Sequence, residues 1–200
     1  MSGAHINPVV TLAFWLRGKF EAAVALGYIA AQAVGGTAGA VALRIWGPLG
    51  RSVAFAATTP GAAGDLAALA GEAAATAALI GGLFAFLGHD RLKRFTPALF
   101  APLYGLMVLV EAPLSGTSTN PARSLGPALV AHTLGTYWLY VAGPVAGTLA
   151  VALIWHLTPP LRRLEIDVAK LYHFHHDPYG LFSRRRPRHR SGAAPHHQGG

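Results

Sequence analysis

Long apolar runs separated by short basic turns organise this chain. From Glu21 to about Leu43 the sequence is continuously apolar and long enough to cross a bilayer. Gln32, Gly35, Gly36 and Gly39 fall near one face of that run, the small-residue pattern of closely packed transmembrane helices. Further spans are expected from Glu72 to Gly88, from about Pro97 to Pro113 and from about Tyr137 to Leu157. Two other apolar helices, Pro8 to about Leu16 and Pro121 to about Val130, reach only half a membrane span. Each begins at an Asn-Pro pair, Asn7-Pro8 and Asn120-Pro121, which supplies a good N-cap and a residue pre-set for the first helical position. The stretch from Arg44 to Gly71, rich in Gly, Pro and Ala, reads as a long loop outside the bilayer. A short amphipathic helix is expected near Leu161 to Leu171, in an otherwise disordered tail.

Charge placement orients these elements. Arg17 and Lys19, the turn from His89 to Arg94 and the C-terminal tail fall on one side when four spans and two half-spans are threaded in order, and the positive-inside rule makes that side cytoplasmic. The two Asn-Pro helices then approach the membrane from opposite faces. Asn7-Pro8-Val9 and Asn120-Pro121-Ala122, each followed by a half-helix and then a span, recur at an offset of 113 residues, so the chain reads as an inverted repeat. Irregular backbone at membrane depth is tolerated only where protein buries it or water bathes it, so two half-helices meeting at the midplane imply a pore or substrate site. The second copy is preceded by two full spans and the first by six residues. The repeat therefore predicts two spans missing from the N-terminus, as in a truncated reading frame or a short gene product.

Composition agrees with the bilayer as solvent. Of the 200 residues 52% are hydrophobic and 12% charged, and the mean hydropathy is +0.40. There is no cysteine, which excludes a disulfide framework and a thiolate metal site. The formal charge of +8 comes largely from the tail, including Arg184-Arg185-Arg186-Pro187-Arg188-His189-Arg190. Beside a span such a tail faces anionic lipid more simply than nucleic acid. Its histidines, His173, His175, His176, His189, His196 and His197, read either as a solvated charged segment or as ligands of a divalent metal that would regulate the protein. No nucleophile and base and no paired catalytic carboxylates stand out, so an enzyme is not expected.

One residue breaks the pattern. Arg123 falls in the first turn of the second half-helix, where the helix dipole disfavours a cation. Its surroundings, Gly116-Thr117-Ser118-Thr119-Asn120-Pro121-Ala122-Arg123-Ser124, together with Ser2-Gly3-Ala4-His5-Ile6-Asn7-Pro8-Val9-Val10-Thr11, resemble the two signature loops of the aquaporin, or major intrinsic protein, family. Tyr28-Ile29-Ala30-Ala31-Gln32-Ala33-Val34-Gly35-Gly36 is similar to the family's third span. The resemblance covers residues 2 to 158. It implies an all-α membrane protein with four full spans and two re-entrant half-helices, a channel domain over 1–158 and a cytoplasmic tail over 159–200. It further implies a homotetramer in the plasma (inner) membrane, each subunit passing water or small uncharged solutes such as glycerol, with no cofactor. A non-conducting membrane protein or assembly partner is the alternative expectation.

The resemblance assigns roles to residues. Asn7 and Asn120, with Pro8, Val9, Pro121 and Ala122, form the paired pore motifs; each Asn oxygen, occupied as an N-cap, leaves its NH₂ donors for the passing solute. Converging positive helix ends oppose cations and protons. Arg123, Thr117 and Val108 stand at outer selectivity-filter positions, and Val108 occupies a place where strict water channels usually carry histidine. His5, with the carbonyls of Gly3 and Ala4, lines the cytoplasmic half of the pore. Glu72 braces the second loop by accepting backbone N–H bonds, and Glu111 is expected near the outer vestibule. Val9 departs from the usual alanine. Taken singly, an Asn-Pro pair is a helix cap, a terminal arginine an interfacial anchor and a loop histidine a structural residue; duplication of the motif in opposed half-helices favours the pore.

Overall fold

A computed structural model describes residues 5–166. The expected spans form as α2 (Ala22–Ala42), α4 (Asp65–Leu87), α5 (Thr96–Ser115) and α7 (Leu139–Leu157), and the half-helices as α1 (Pro8–Leu16) and α6 (Pro121–Ala131). Two short helices, α3 (Pro48–Ser52) and α8 (Pro159–Arg162), complete the set, and there is no strand among the described residues. The four long helices are apolar enough to span a membrane, with 3-10 turns extending α2 to Trp46 and preceding α5 and α7.

Two boundaries differ from expectation. The connection between α2 and α4 is shorter, because α4 starts at Asp65, two turns ahead of Glu72. Leu66, Ala67, Ala68 and Leu69 are strong helix formers, and Asp65 in the first turn suits the dipole. What remains, residues 43–64, is a folded segment holding α3 and a 3-10 turn at Ala54–Ala56. Of the helix expected near Leu161 to Leu171 the described residues hold the single turn α8, which ends at Arg162; residues 167–171 and the tail histidines lie outside the described residues, as do Gly3 and Ala4.

α4 and α7 are the most deeply buried spans, while α2 and α5 are flanks with open faces. The main core gathers Ile80, Leu83, Phe84 and Leu87 of α4, Val151 and Trp155 of α7, and Ala13 and Phe14 of α1. Phe84 meets Trp155 edge-on at 5.5 Å and Phe14 at 6.0 Å, so the far end of α1 is fixed by aromatic packing. Ile166 joins this cluster, and Arg17, at the end of α1, donates from Nη2 to the Leu164 carbonyl at 3.1 Å. In the turn before α5, Lys93 pairs with exposed Asp90 at 2.8 Å and by that hydrogen bond holds its carboxyl below the usual range.

α6 is seated on α2 by backbone proximity. A Cβ on Gly36 would stand 2.5 Å from the Ala122 carbonyl oxygen, and one on Gly126 would strike the Gly36 carbonyl. Gly36→Ala is therefore expected to prise α6 from α2 and destabilise the fold by about 1–3 kcal/mol, the usual cost of overpacking. The check is the midpoint of thermal unfolding in detergent.

Candidate functional site

The N-termini of α1 and α6 meet. Asn7 and Asn120 are both extended, with φ of −139° and −149°, and both cap their helices. Asn7 Oδ1 accepts from the Val9 N–H at 3.0 Å, and Asn120 Oδ1 accepts from Ala122 and Arg123 at 3.1 and 3.2 Å. Having oxygen and nitrogen so assigned, each amide then reaches across. Asn7 Nδ2 donates to the Thr119 carbonyl at 2.8 Å, and Asn120 Nδ2 donates to the Ile6 carbonyl at 3.0 Å. Thr119 and Ile6 are the residues preceding the two asparagines, so the 113-residue repeat is written into the hydrogen bonds. One N–H of each amide is thus committed to the opposite loop.

A cavity of about 580 Å³ lies beside this junction, lined by Asn120, Arg123 and Ala122 on one side and by His5, Tyr28 and Gln32 on the other. Asn7 is buried behind it. The His5 ring stacks on Phe14 at 4.9 Å and is tilted against Phe20 and Tyr28 at 5.7 and 5.4 Å. Its backbone is held by Gln32, whose Nε2 donates to the His5 carbonyl at 2.6 Å and to Thr11 Oγ1 at 3.0 Å. Val9 is fully buried under the junction and takes no part in the lining.

Of the three filter positions, Arg123 lines the cavity and the other two do not. Arg123 Nη1 donates to the Ala56 carbonyl at 2.9 Å. That carbonyl is presented by Ala54, Phe55 and Ala56, all in the left-handed region with φ of 47°, 51° and 63°. Such backbone persists only where its surroundings over-determine it. Here the ties are Arg123, Thr58 Oγ1 to Ser124 Oγ at 2.8 Å, and the Gly61 N–H to the Leu114 carbonyl at 2.8 Å. Thr117 is buried, its N–H donating to Ser115 Oγ at 3.2 Å, and Val108 is half exposed on α5.

Behind the second loop lies a carboxylate. Glu72 is fully buried; its Oε1 accepts from the Ser118 N–H at 2.7 Å and from Ser115 Oγ at 2.6 Å, and its Oε2 accepts from the Thr119 N–H at 2.7 Å. Tyr140 adds a hydroxyl to the Ser115 carbonyl at 2.8 Å. An anion inside a span is tolerable with three donors of this kind. Glu111 does not sit at the outer vestibule: it is buried, with Oε1 on Ser115 Oγ, because the absence of a side chain at Gly71 leaves room for its carboxyl.

Sequence reasoning missed Ala56, Ser115, Tyr140 and the bracing role of Gln32. An unpaired amide in the middle of an apolar run was the signal for Gln32. The others carry none.

Fold and site together define an all-α integral membrane protein built as an inverted repeat around two re-entrant half-helices. The chain belongs to the major intrinsic protein family, MIP, whose profile it matches over residues 1–155. It is 36% identical over 169 residues to "Aquaporin NIP1-2" of Oryza sativa subsp. japonica, covering 78% of this chain and 54% of that protein. It is 38% identical over 178 residues to "Aquaporin NIP1-3" of the same plant, covering 84% and 60%. With "Aquaporin-6" of Mus musculus it shares 34% identity over 161 residues, 78% of this chain and 53% of that one. The chain spans little more than half the length of these relatives. Family members are channels, not enzymes.

Proposed function

We propose that this chain forms a passive transmembrane channel for water and small uncharged solutes such as glycerol. The observation that carries the reading is the reciprocal pair of bonds, from Asn7 Nδ2 to the Thr119 carbonyl and from Asn120 Nδ2 to the Ile6 carbonyl, which fixes two half-helix N-termini face to face and leaves Asn120 and Arg123 on one cavity wall. Asn120 offers the solute a donor that replaces hydration, and Asn7 completes the junction with Pro8, Val9, Pro121 and Ala122. Arg123 and the two positive helix ends repel cations. Arg123 is the selectivity residue on that wall and His5 lines the cavity opposite it; the resemblance alone places Thr117, Val108, Gly3 and Ala4 along the same path. The channel domain is residues 1–158 and the tail 159–200 is cytoplasmic; the channel works as a homotetramer in the plasma membrane.

Stopped-flow shrinkage of proteoliposomes carrying the chain is expected to outpace that of empty liposomes, and equal rates overturn the reading of an autonomous channel. Arg123→Ala is expected to raise glycerol passage relative to water about tenfold, since about 1.4 kcal/mol of exclusion corresponds to that factor. An unchanged ratio removes Arg123 from the filter.

A second reading is favoured by α2, whose Leu26, Val34 and Val41 are exposed and whose open face borders the cavity. In it the chain conducts only within an assembly that covers this face. The chain alone then matches empty liposomes, and conduction arises on co-reconstitution with the helices that cover α2.

A further inference from the structure

Ser115 Oγ touches two carboxyl groups, Oε1 of Glu72 at 2.6 Å and Oε1 of Glu111. It also accepts the Thr117 N–H at 3.2 Å. A serine hydroxyl has one hydrogen and two lone pairs. Glu72 already receives the Ser118 and Thr119 N–H groups, so it is the acceptor end of the chain of bonds and takes the Ser115 hydrogen. The contact with Glu111 then needs a hydrogen of its own. The acid hydrogen of a Glu111 carboxyl supplies it, and fills the remaining lone pair of Ser115 Oγ.

The loop behind which this happens is under strain. Gly116, Thr117 and Thr119 have φ of 80°, 52° and 50°. Two of these are β-branched residues in the left-handed region, which such residues keep only where neighbouring bonds hold them. Glu72 holds the backbone of Ser118 and Thr119. Ser115 alone holds the Thr117 N–H, and Glu111 fixes the Ser115 hydroxyl so that one lone pair points there and its hydrogen points to Glu72. The geometry also shows that room is kept for this side chain: a Cβ on Gly71 would stand 2.8 Å from Glu111 Oε1 and 3.1 Å from its Cγ.

We infer that Glu111 is a positioning residue for the outer loop: through Ser115 it holds Thr117 in its left-handed conformation and so steadies the loop that presents the Thr119 carbonyl to Asn7 and leads into Asn120 and Arg123. It touches no solute. The inference rests on the channel reading for its functional consequence and on the hydrogen bonds alone for its structural one.

The test uses the whole chain in proteoliposomes with Glu111→Gln, Glu111→Leu and Gly71→Ala, reading amide hydrogen exchange at 116–119 and the glycerol-to-water permeability ratio. Glutamine carries an amide hydrogen for Ser115 Oγ and is expected to preserve wild-type exchange. Leucine, of similar size without a donor, is expected to speed exchange at Thr117 to Thr119 about fivefold or more, the factor set by losing one net hydrogen bond. Where the leucine variant does not fold, Gly71→Ala displaces the carboxyl without removing it and is expected to speed exchange in the same segment. Exchange unchanged in both Glu111→Leu and Gly71→Ala, or Glu111→Gln as fast as the leucine variant, overturns the inference. Wild-type liposomes that conduct no faster than empty ones overturn the channel reading and leave the exchange result to decide the positioning role. In a conducting protein the permeability ratio shifts with exchange; a ratio that stays constant while exchange rises overturns the functional half.

Discussion

Glu72→Leu is expected to yield no folded protein, and Glu72→Gln a folded protein that is markedly less stable. Glu72 is fully buried and receives three donors, the Ser118 and Thr119 N–H groups and the Ser115 hydroxyl. Leucine fills the volume and leaves all three without an acceptor at a depth where no water replaces it. Each orphaned donor costs about 1–3 kcal/mol, so the total of roughly 3–9 kcal/mol rivals the whole stability of an ordinary domain. The backbone donors cannot turn away, because Thr119 is held in the left-handed region at φ 50° and its carbonyl is committed to Asn7. Glutamine keeps one oxygen and turns an NH₂ toward a backbone N–H, so part of the network survives. The check is a fluorescence size-exclusion profile in mild detergent with a thermal ramp. A monodisperse, wild-type peak for Glu72→Leu would show that the loop is held by something other than this carboxylate.

Local chemistry made most of the fold legible. Asn7-Pro8 and Asn120-Pro121 state a helix start in two residues, and α1 and α6 begin where they say. The runs of apolar residues gave the four spans, because in a bilayer length and hydropathy leave few alternatives. Glu72 was legible as a brace for the same reason, since a carboxylate in a span demands donors. The failures share a cause of another kind. Ala54, Phe55 and Ala56 carry no turn residue, and their left-handed backbone is imposed by tertiary bonds such as Arg123 to the Ala56 carbonyl. Glu111 lies within one turn of Val108, so spacing placed both toward the vestibule. The space beside Gly71, on another helix, draws the carboxyl inward while Val108 stays half exposed. Thr117 illustrates the same limit, because its position in the loop was readable and its burial was not.

Asn120→Asp is expected to keep the fold and lose conduction, whereas Asn120→Ala is expected to weaken both. The amide performs two tasks with different atoms. Its Oδ1 accepts the Ala122 and Arg123 N–H groups, a cap whose loss typically costs about 1 kcal/mol. Its Nδ2 donates to the Ile6 carbonyl and has a second hydrogen left for solute. Aspartate retains the cap, and its charge suits the positive end of α6. It has no N–H, so both the cross-brace and the solute donor go, and a carboxylate oxygen faces the Ile6 carbonyl. Water permeability is therefore expected to fall about tenfold, the factor for about 1.4 kcal/mol, and the melting temperature to fall only by the loss of the cross-brace. Alanine loses the cap as well and melts lower. Asn7→Ala acts on the mirror-image bond, and because each asparagine holds the residue preceding the other, the two alanine substitutions are expected to be non-additive. A double-mutant cycle on melting temperature and on osmotic permeability measures the coupling, which for groups in one network runs at about 0.5–3 kcal/mol. Additive effects would mean that the two loops are held independently and that the reciprocal bonds contribute nothing to the junction.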